Sequence, residues 1–259
     1  MNINPINPFD KTSFYGKSKN TREKIIEARE EAAKAAAAAI MEAEAKKKEK
    51  METDFVFQAR FDSEIPPQAQ KVVREFIKVS IMSILSGIPE DMENPLSFSG
   101  KKIIPEDNTV TLIVGDLKKN IKKETGADTD KMEAYSSIKL DGMTVAMKIL
   151  NPAKKTRIKK LAIFLDGNEL LKKGSGFEPW LVALNHEICG HFRQHLDDTV
   201  PADGNKEEYI AYKTSNKVLS NIIENFKKIN APQRIIKNLE ILLEKDKKTE
   251  TLYRKKAGL

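Results

Sequence analysis

His186, His191 and His195 are the chain's only histidines, and all three fall within the ten-residue run HEICGHFRQH of a 259-residue sequence. Glu187 directly follows the first. Imidazoles are preferred donors for a divalent metal of zinc's kind, and a glutamate beside them can take a proton from an attacking water. The chemistry suggested is metal-assisted hydrolysis, with His186 and His191 as ligands and Glu187 as base. The two leading histidines are five residues apart, where the common H-E-x-x-H arrangement has four. On a regular α-helix, residues four apart differ by about 40° around the axis and residues five apart by about 140°. An undisturbed helix therefore cannot aim both imidazoles at one cation. A single wide π turn can, and such turns occur mainly at functional sites. Gly190 suits the distortion, because it has no side chain to crowd the opposite wall. In mid-helix it otherwise costs about 1 kcal/mol relative to alanine.

A catalytic site of this type needs a third protein ligand, with the fourth position left to water. With no further histidine, that ligand is His195 or an acid. In KEEYIAYKTSNKVLSNIIENF, residues Glu208, Ala211, Ser215, Val218, Ile222, Phe226 and Ile229 recur on one helical face, so Glu208 opens an inward stripe. A carboxylate on such a line is expensive without a partner, and a metal supplies one. Glu207 is the reserve ligand, or orients a histidine by hydrogen bonding. His191 and His195, four apart, could share a metal on a regular helix, but that pairing places Glu187 poorly for activating water.

The two segments HEICGH and EEYIA resemble the signatures of the dipeptidyl peptidase III family of zinc peptidases: HExxGH, and two glutamates followed by two residues and alanine. The resemblance covers about eleven residues in two pieces. It implies Zn2+ held by His186, His191 and Glu208, catalysis by Glu187, and a peptide or protein substrate. That family usually has an acid after the alanine. Tyr212 stands there, so the resemblance implies a different support for one histidine. In size the chain is closer to compact bacterial effector-like zincins, where a histidine helix is followed by a glutamate helix. The fold expected is α+β and zincin-like, with a small antiparallel or mixed sheet packed on the metal-binding helix and a helical C-terminal half.

Other residues have a functional and a structural reading. Cys189, the single cysteine, excludes an intrachain disulfide; it is a ligand, a nucleophile, or a small buried residue on the rear of the helix. Tyr209 and Tyr212 are oxyanion donors or packed side chains. Phe177 and Trp180 border a cleft or anchor the histidine helix. The strand around Leu161 to Leu165 offers its backbone to an extended peptide, or is internal. No serine or cysteine triad is evident.

These residues need elements to position them. Residues 1–19 read as an extended arm, and Thr21 to about Met51 as a long helix with a capping box at Asn20 and Glu23. Its apolar stripe is mostly alanine, so it rests on the body, pairs with a partner or a second copy, or stands as a spacer. The expected division is 1–65 for arm and helix and 66–259 for a catalytic domain. After Pro66-Pro67 a core helix carries Val72, Val73, Phe76, Ile77, Ile84 and Leu85, and Gly87 stops it. Strands are expected at 110–115 and 159–167, the latter at a sheet edge near the histidines. A hairpin is expected at Asp141-Gly142, between 138–140 and 143–149. Helices follow at 179–197, 207–229 and 232–246, with Asn230 and Pro232 as punctuation.

The 45 basic residues against 38 acidic give a net charge of +7. No basic stripe interleaved with aromatics marks a nucleic-acid face, so no specific nucleic acid is expected. No run of about twenty apolar residues predicts a membrane span. The start MNINPINPFD lacks a secretory signal's features, so a cytoplasmic location is the default, with export by another route left open. Two rival functions remain: a non-enzymatic helical interaction protein with a structural histidine or metal cluster, and a zinc amidase acting on cell-wall or other non-protein amides.

Overall fold

The computed structural model describes residues 53–126, 142–151, 154–173 and 176–259. The expected arm, the helix from Thr21 to Met51 and residues 138–141 of the expected hairpin lie outside them.

A four-stranded sheet contains β1 (Val56–Phe61), β2 (Thr109–Gly115), β3 (Gly142–Asn151) and β4 (Lys154–Asp166), in the order β1-β2-β4-β3. β1, β2 and β4 are mutually parallel, with Ala59 opposite Leu112 and Val110 opposite Leu161. β3 runs antiparallel to β4. The sheet is thus predominantly parallel, with β3 as its one antiparallel strand, which corrects the expectation of an antiparallel or mixed one. The cause lies in the connection: α1 (Pro67–Gly87) carries the chain from the end of β1 back to the start of β2, as parallel neighbours require.

The central strands are covered on both faces, which explains their unbroken apolar runs. Val110, Leu112, Val114, Leu161, Ile163 and Leu165 enter the main core. Ile113, Ala162 and Phe164 point the other way, where Leu117 and Ile121 of α2 (Leu117–Thr125) close over them. The strand at Leu161–Leu165 is therefore interior rather than at the edge. β3 is the edge beside the histidine helix. β1 was not foreseen; it precedes residue 66 and still completes the sheet, alternating exposed and half-buried residues as an edge strand does.

α1 buries the predicted stripe, but its end has another cause. Gly87 does not take a left-handed φ; the helix stops because Ile88, ahead of Pro89, turns to an extended ψ of 121°. Gly87 is instead a contact point. A Cβ there would lie 2.3 Å from Ile222 Cγ1 and 3.0 Å from the Val218 carbonyl oxygen.

After α3 (Gly167–Lys173) comes the histidine helix: α4 (Glu178–Asn185), a π-helical segment (His186–Phe192) and α5 (Arg193–Asp197). α6 (Gly204–Lys228) follows, and the Asp203 carboxylate accepts the Asn205 N–H at 2.9 Å at its start. Asn230, at φ 53°, and Pro232 then turn the chain into α7, which runs from Gln233 to Lys256 rather than ending near 246. α7 packs along α6 and touches α4. No described helix is long and apolar enough to cross a membrane.

Candidate metal centre

The site begins with a well-anchored helix. Pro179 occupies its first turn, where a missing N–H costs nothing. Phe177 and Trp180 are each 1% exposed and lie in the core, so they anchor the helix and do not line a cleft. Leu181, Leu184, Ile188, Cys189 and Phe192 continue that buried face. Phe192 meets Phe55 edge-on at 5.0 Å, tying the helix to the lead-in of β1. Burial pushes the Cys189 thiol up to about 12, so it is an inert core side chain.

The π-helical stretch coincides with the sequence HEICGHF. Its wide turns bring side chains five apart onto a common face. His191 Nε2 lies 3.2 Å from His186 Nε2. Glu208, from the first turns of α6, straddles the pair, with one carboxylate oxygen 3.4 Å from His186 Nε2 and the other 3.5 Å from His191 Nε2. Among the described residues, His186, His191 and Glu208 form the one group of three able to hold a metal ion. Their side chains keep 11–15% of their surface, so the group is mostly buried but not sealed from solvent.

What brings α6 so close is a pair of small residues. A Cβ on Gly190 would lie 2.7 Å from Ala211 Cβ and 2.9 Å from its Cα. Gly190 thus serves helix contact as well as the wide turn. Asn185 adds a buried tie, donating through Nδ2 to the Ser215 carbonyl at 2.8 Å.

The histidines are supported differently. Glu207 Oε1 lies 3.0 Å from His191 Nδ1. An ionised carboxylate only accepts, so Nδ1 carries the hydrogen and the Nε2 lone pair of neutral His191 faces the cluster. Glu207 is therefore an orienting residue and stands outside the group of three. His186 has no equivalent: its Nδ1 is buried without a hydrogen-bond partner among the described residues. Instead Tyr212 lies against its ring, centroids 4.2 Å apart, and Tyr253 of α7 stacks on Tyr212 at 5.9 Å and 18°. The side chain in the position after Ala211 thus supports His186 by packing rather than by charge.

Charge is concentrated here. Burial alone would lower the pKa of His191, but hydrogen bonds with Glu207 and Glu208 and the charges of Glu187 and Glu208 hold it well above 6.5. Burial would raise that of Glu208, yet the two histidines bring it far below the usual carboxylate range. Burial, with nearby charges of Asp246, Glu208 and Glu187, drives the Tyr212 phenol well above its ordinary value. Without a cation, two nitrogen lone pairs and an anion would converge with nothing between them. A proton on His191 relieves that in part, and a metal ion would relieve all of it. The donor set, two imidazoles and a carboxylate, fits a divalent metal.

Of the other candidates, His195 lies on α5, part-buried and outside the metal-holding group. The segment His186–Phe192 is π-helical, and no group of three able to hold a metal among the described residues includes His195. Glu187 is buried within the π segment. Tyr209 is half-buried, with Lys213 Nζ 5.8 Å from its ring centre. Tyr253 was missed because it lies beyond the expected end of its helix.

No family model, curated protein or solved structure matches the chain. The resemblance to dipeptidyl peptidase III therefore extends to the motif residues and does not assign membership. Geometry has to carry the functional reading.

Proposed function

We propose that the chain is a zinc-dependent hydrolase of peptide or protein amide bonds, zincin-like and of gluzincin type. His186, His191 and Glu208 hold the ion, and Glu187 is the general base. The observation that supports this most strongly is the convergence of both Nε2 atoms and the Glu208 carboxylate across the π turn. Ligands about 2.0–2.1 Å from a tetrahedral zinc lie about 3.3–3.4 Å from one another. The two Nε2 atoms are 3.2 Å apart, and separate oxygens of the Glu208 carboxylate lie 3.4 Å and 3.5 Å from them, so the three side chains are within reach of one ion. Three protein ligands with access from outside suit catalytic rather than structural zinc.

When bound, zinc would polarise a water and the scissile carbonyl. Glu187, one residue after His186, takes the proton from the attacking water and returns it to the leaving amine. Its charge reaches both His191 and Tyr212, which is consistent with a place beside the ligands. β3 favours a polypeptide substrate over a small amide. It is the sheet edge beside the histidine helix, and among the described residues its only paired neighbour is β4. An extended peptide can add to such an edge through main-chain hydrogen bonds.

The test measures metal content and cleavage of an unstructured polypeptide for the wild type, Glu187→Gln and Glu208→Gln. The wild type should carry one zinc. Glu187→Gln should keep it and lose turnover by about 10²-fold or more. Glu208→Gln should lose the metal. A wild type that takes up no zinc would sink the reading and favour a helical interaction protein; undiminished turnover in Glu187→Gln would remove that residue from its role.

A further inference from the structure

Tyr253 is 3% exposed, and its hydroxyl is buried without a hydrogen-bond partner among the described residues. A buried tyrosine ordinarily finds a partner for its O–H, so an unsatisfied one needs an explanation. Its surroundings supply one. The Tyr253 ring is nearly parallel to that of Tyr212 at 5.9 Å, and Tyr212 in turn packs on His186 at 4.2 Å. Tyr212 and Glu208 are four residues apart on α6, hence on one face. Asn216, four further on, donates to Glu250 of α7 at 2.8 Å, which fixes the pairing of the two helices at this level. The C-terminal turns of α7 are therefore held against the face of α6 that carries Glu208.

Glu208 has the complementary deficit. One of its oxygens, Oε2, is buried without a hydrogen bond and only approaches His186 Nε2 at 3.4 Å. A buried acceptor on α6 and a buried donor on α7, each without a hydrogen-bond partner among the described residues, thus belong to the two helices paired here, with Tyr212 between Tyr253 and the turn that carries Glu208. Burial and the negative charge of Glu208 push the Tyr253 phenol up to about 12, so near neutral pH it keeps its proton and can only be a donor to that carboxylate.

We propose that Tyr253 is a positioning residue of the metal centre: when a cation occupies the site, its hydroxyl donates to the Glu208 carboxylate and fixes that ligand's orientation. α7 then contributes to the centre without supplying a ligand. The inference rests on the zinc-site reading above. It differs from a packing role in a sharp way. Among the described residues the hydroxyl has no partner, so removing it should cost the fold no hydrogen bond, and the effect should appear on metal binding.

The experiment compares wild type, Tyr253→Phe and Tyr253→Leu by zinc affinity, from chelator competition, and by melting of the metal-free protein. Tyr253→Phe keeps the ring against Tyr212 and should melt at or above the wild-type temperature when metal-free, while binding zinc about tenfold more weakly. Tyr253→Leu removes the stack as well and should lower both. Wild-type zinc affinity in Tyr253→Phe would overturn the proposal and leave the zinc site standing. A metal-free Tyr253→Phe that melts well below wild type would overturn it in favour of packing. Absence of zinc uptake by wild type itself would overturn both readings.

Discussion

Gly190 and Ala211 meet so closely that a methyl group on the glycine would sit 2.7 Å from the alanine Cβ. The glycine of HEICGH and the alanine of EEYIA thus form the contact that sets how far α6 stands from the histidine helix. Glu207 and Glu208 lie one turn before Ala211, so their reach depends on that spacing. Gly190→Ala should cost about 1–3 kcal/mol through overpacking. It should also weaken zinc binding about tenfold or more by moving the carboxylates outward. Thermal melting and chelator competition check the two effects; unchanged zinc affinity would show that the approach does not set ligand reach.

Gly87 makes the analogous contact two to three turns further along α6, against Val218 and Ile222. That point lies away from the carboxylates. Gly87→Ala should therefore destabilise by about 1–3 kcal/mol while leaving zinc affinity within about twofold. A loss of metal matching that of Gly190→Ala would mean that α6 shifts as one rigid rod.

Glu207 holds the hydrogen on His191 Nδ1. Glu207→Gln keeps an acceptor but removes its charge, and Glu207→Ala removes both. Zinc affinity should fall about 10- to 100-fold for alanine and by less for glutamine. Equal affinities across the series would assign Glu207 a surface role.

Protonation competes with metal at His191. Its raised pKa gives the metal-free protein stability that is complete below 6.5 and lost as pH rises through the elevated folded value. The depressed pKa of Glu208 gives stability that is complete above 4.5 and lost as pH falls through its folded value. Together they place the best contribution of this pair between pH 4.5 and 6.5. Zinc uptake displaces the proton, so affinity should rise with pH and binding should release acid. Calorimetry in buffers of different ionisation enthalpy measures that release; none at pH 6 would contradict a protonated His191.

The cluster able to hold a metal was legible in the sequence because its parts are local. An unusual histidine interval, a mid-helix glycine and a glutamate on an apolar stripe each conflict with ordinary helix rules; the wide turn resolves the first two, and the histidine pair gives the glutamate its partner. The sheet was harder to read. β2 and β4 look like generic buried strands, and whether neighbours run parallel depends on the path of α1, which residue pattern does not encode. β1 alternates Phe57, Ala59 and Phe61 with Gln58 and Arg60, a readable signal that the helix expected from the preceding sequence obscured. Tyr253 lies past the last regular apolar repeat of α7, formed by Ile235, Ile236, Leu239 and Leu243, in a run of lysines and acids. Only the fold shows that it faces inward.

The wide turn and its partner helix place every proposed ligand between residues 186 and 208, whereas the sheet joins Val56 to Thr109 and Val110 to Leu161. Closing a short chain loop costs less entropy than closing a long one, so the two helices bearing these groups can find each other first. An ion captured at that stage would act as a folding clamp, securing one half of the molecule while distant strands are still being recruited.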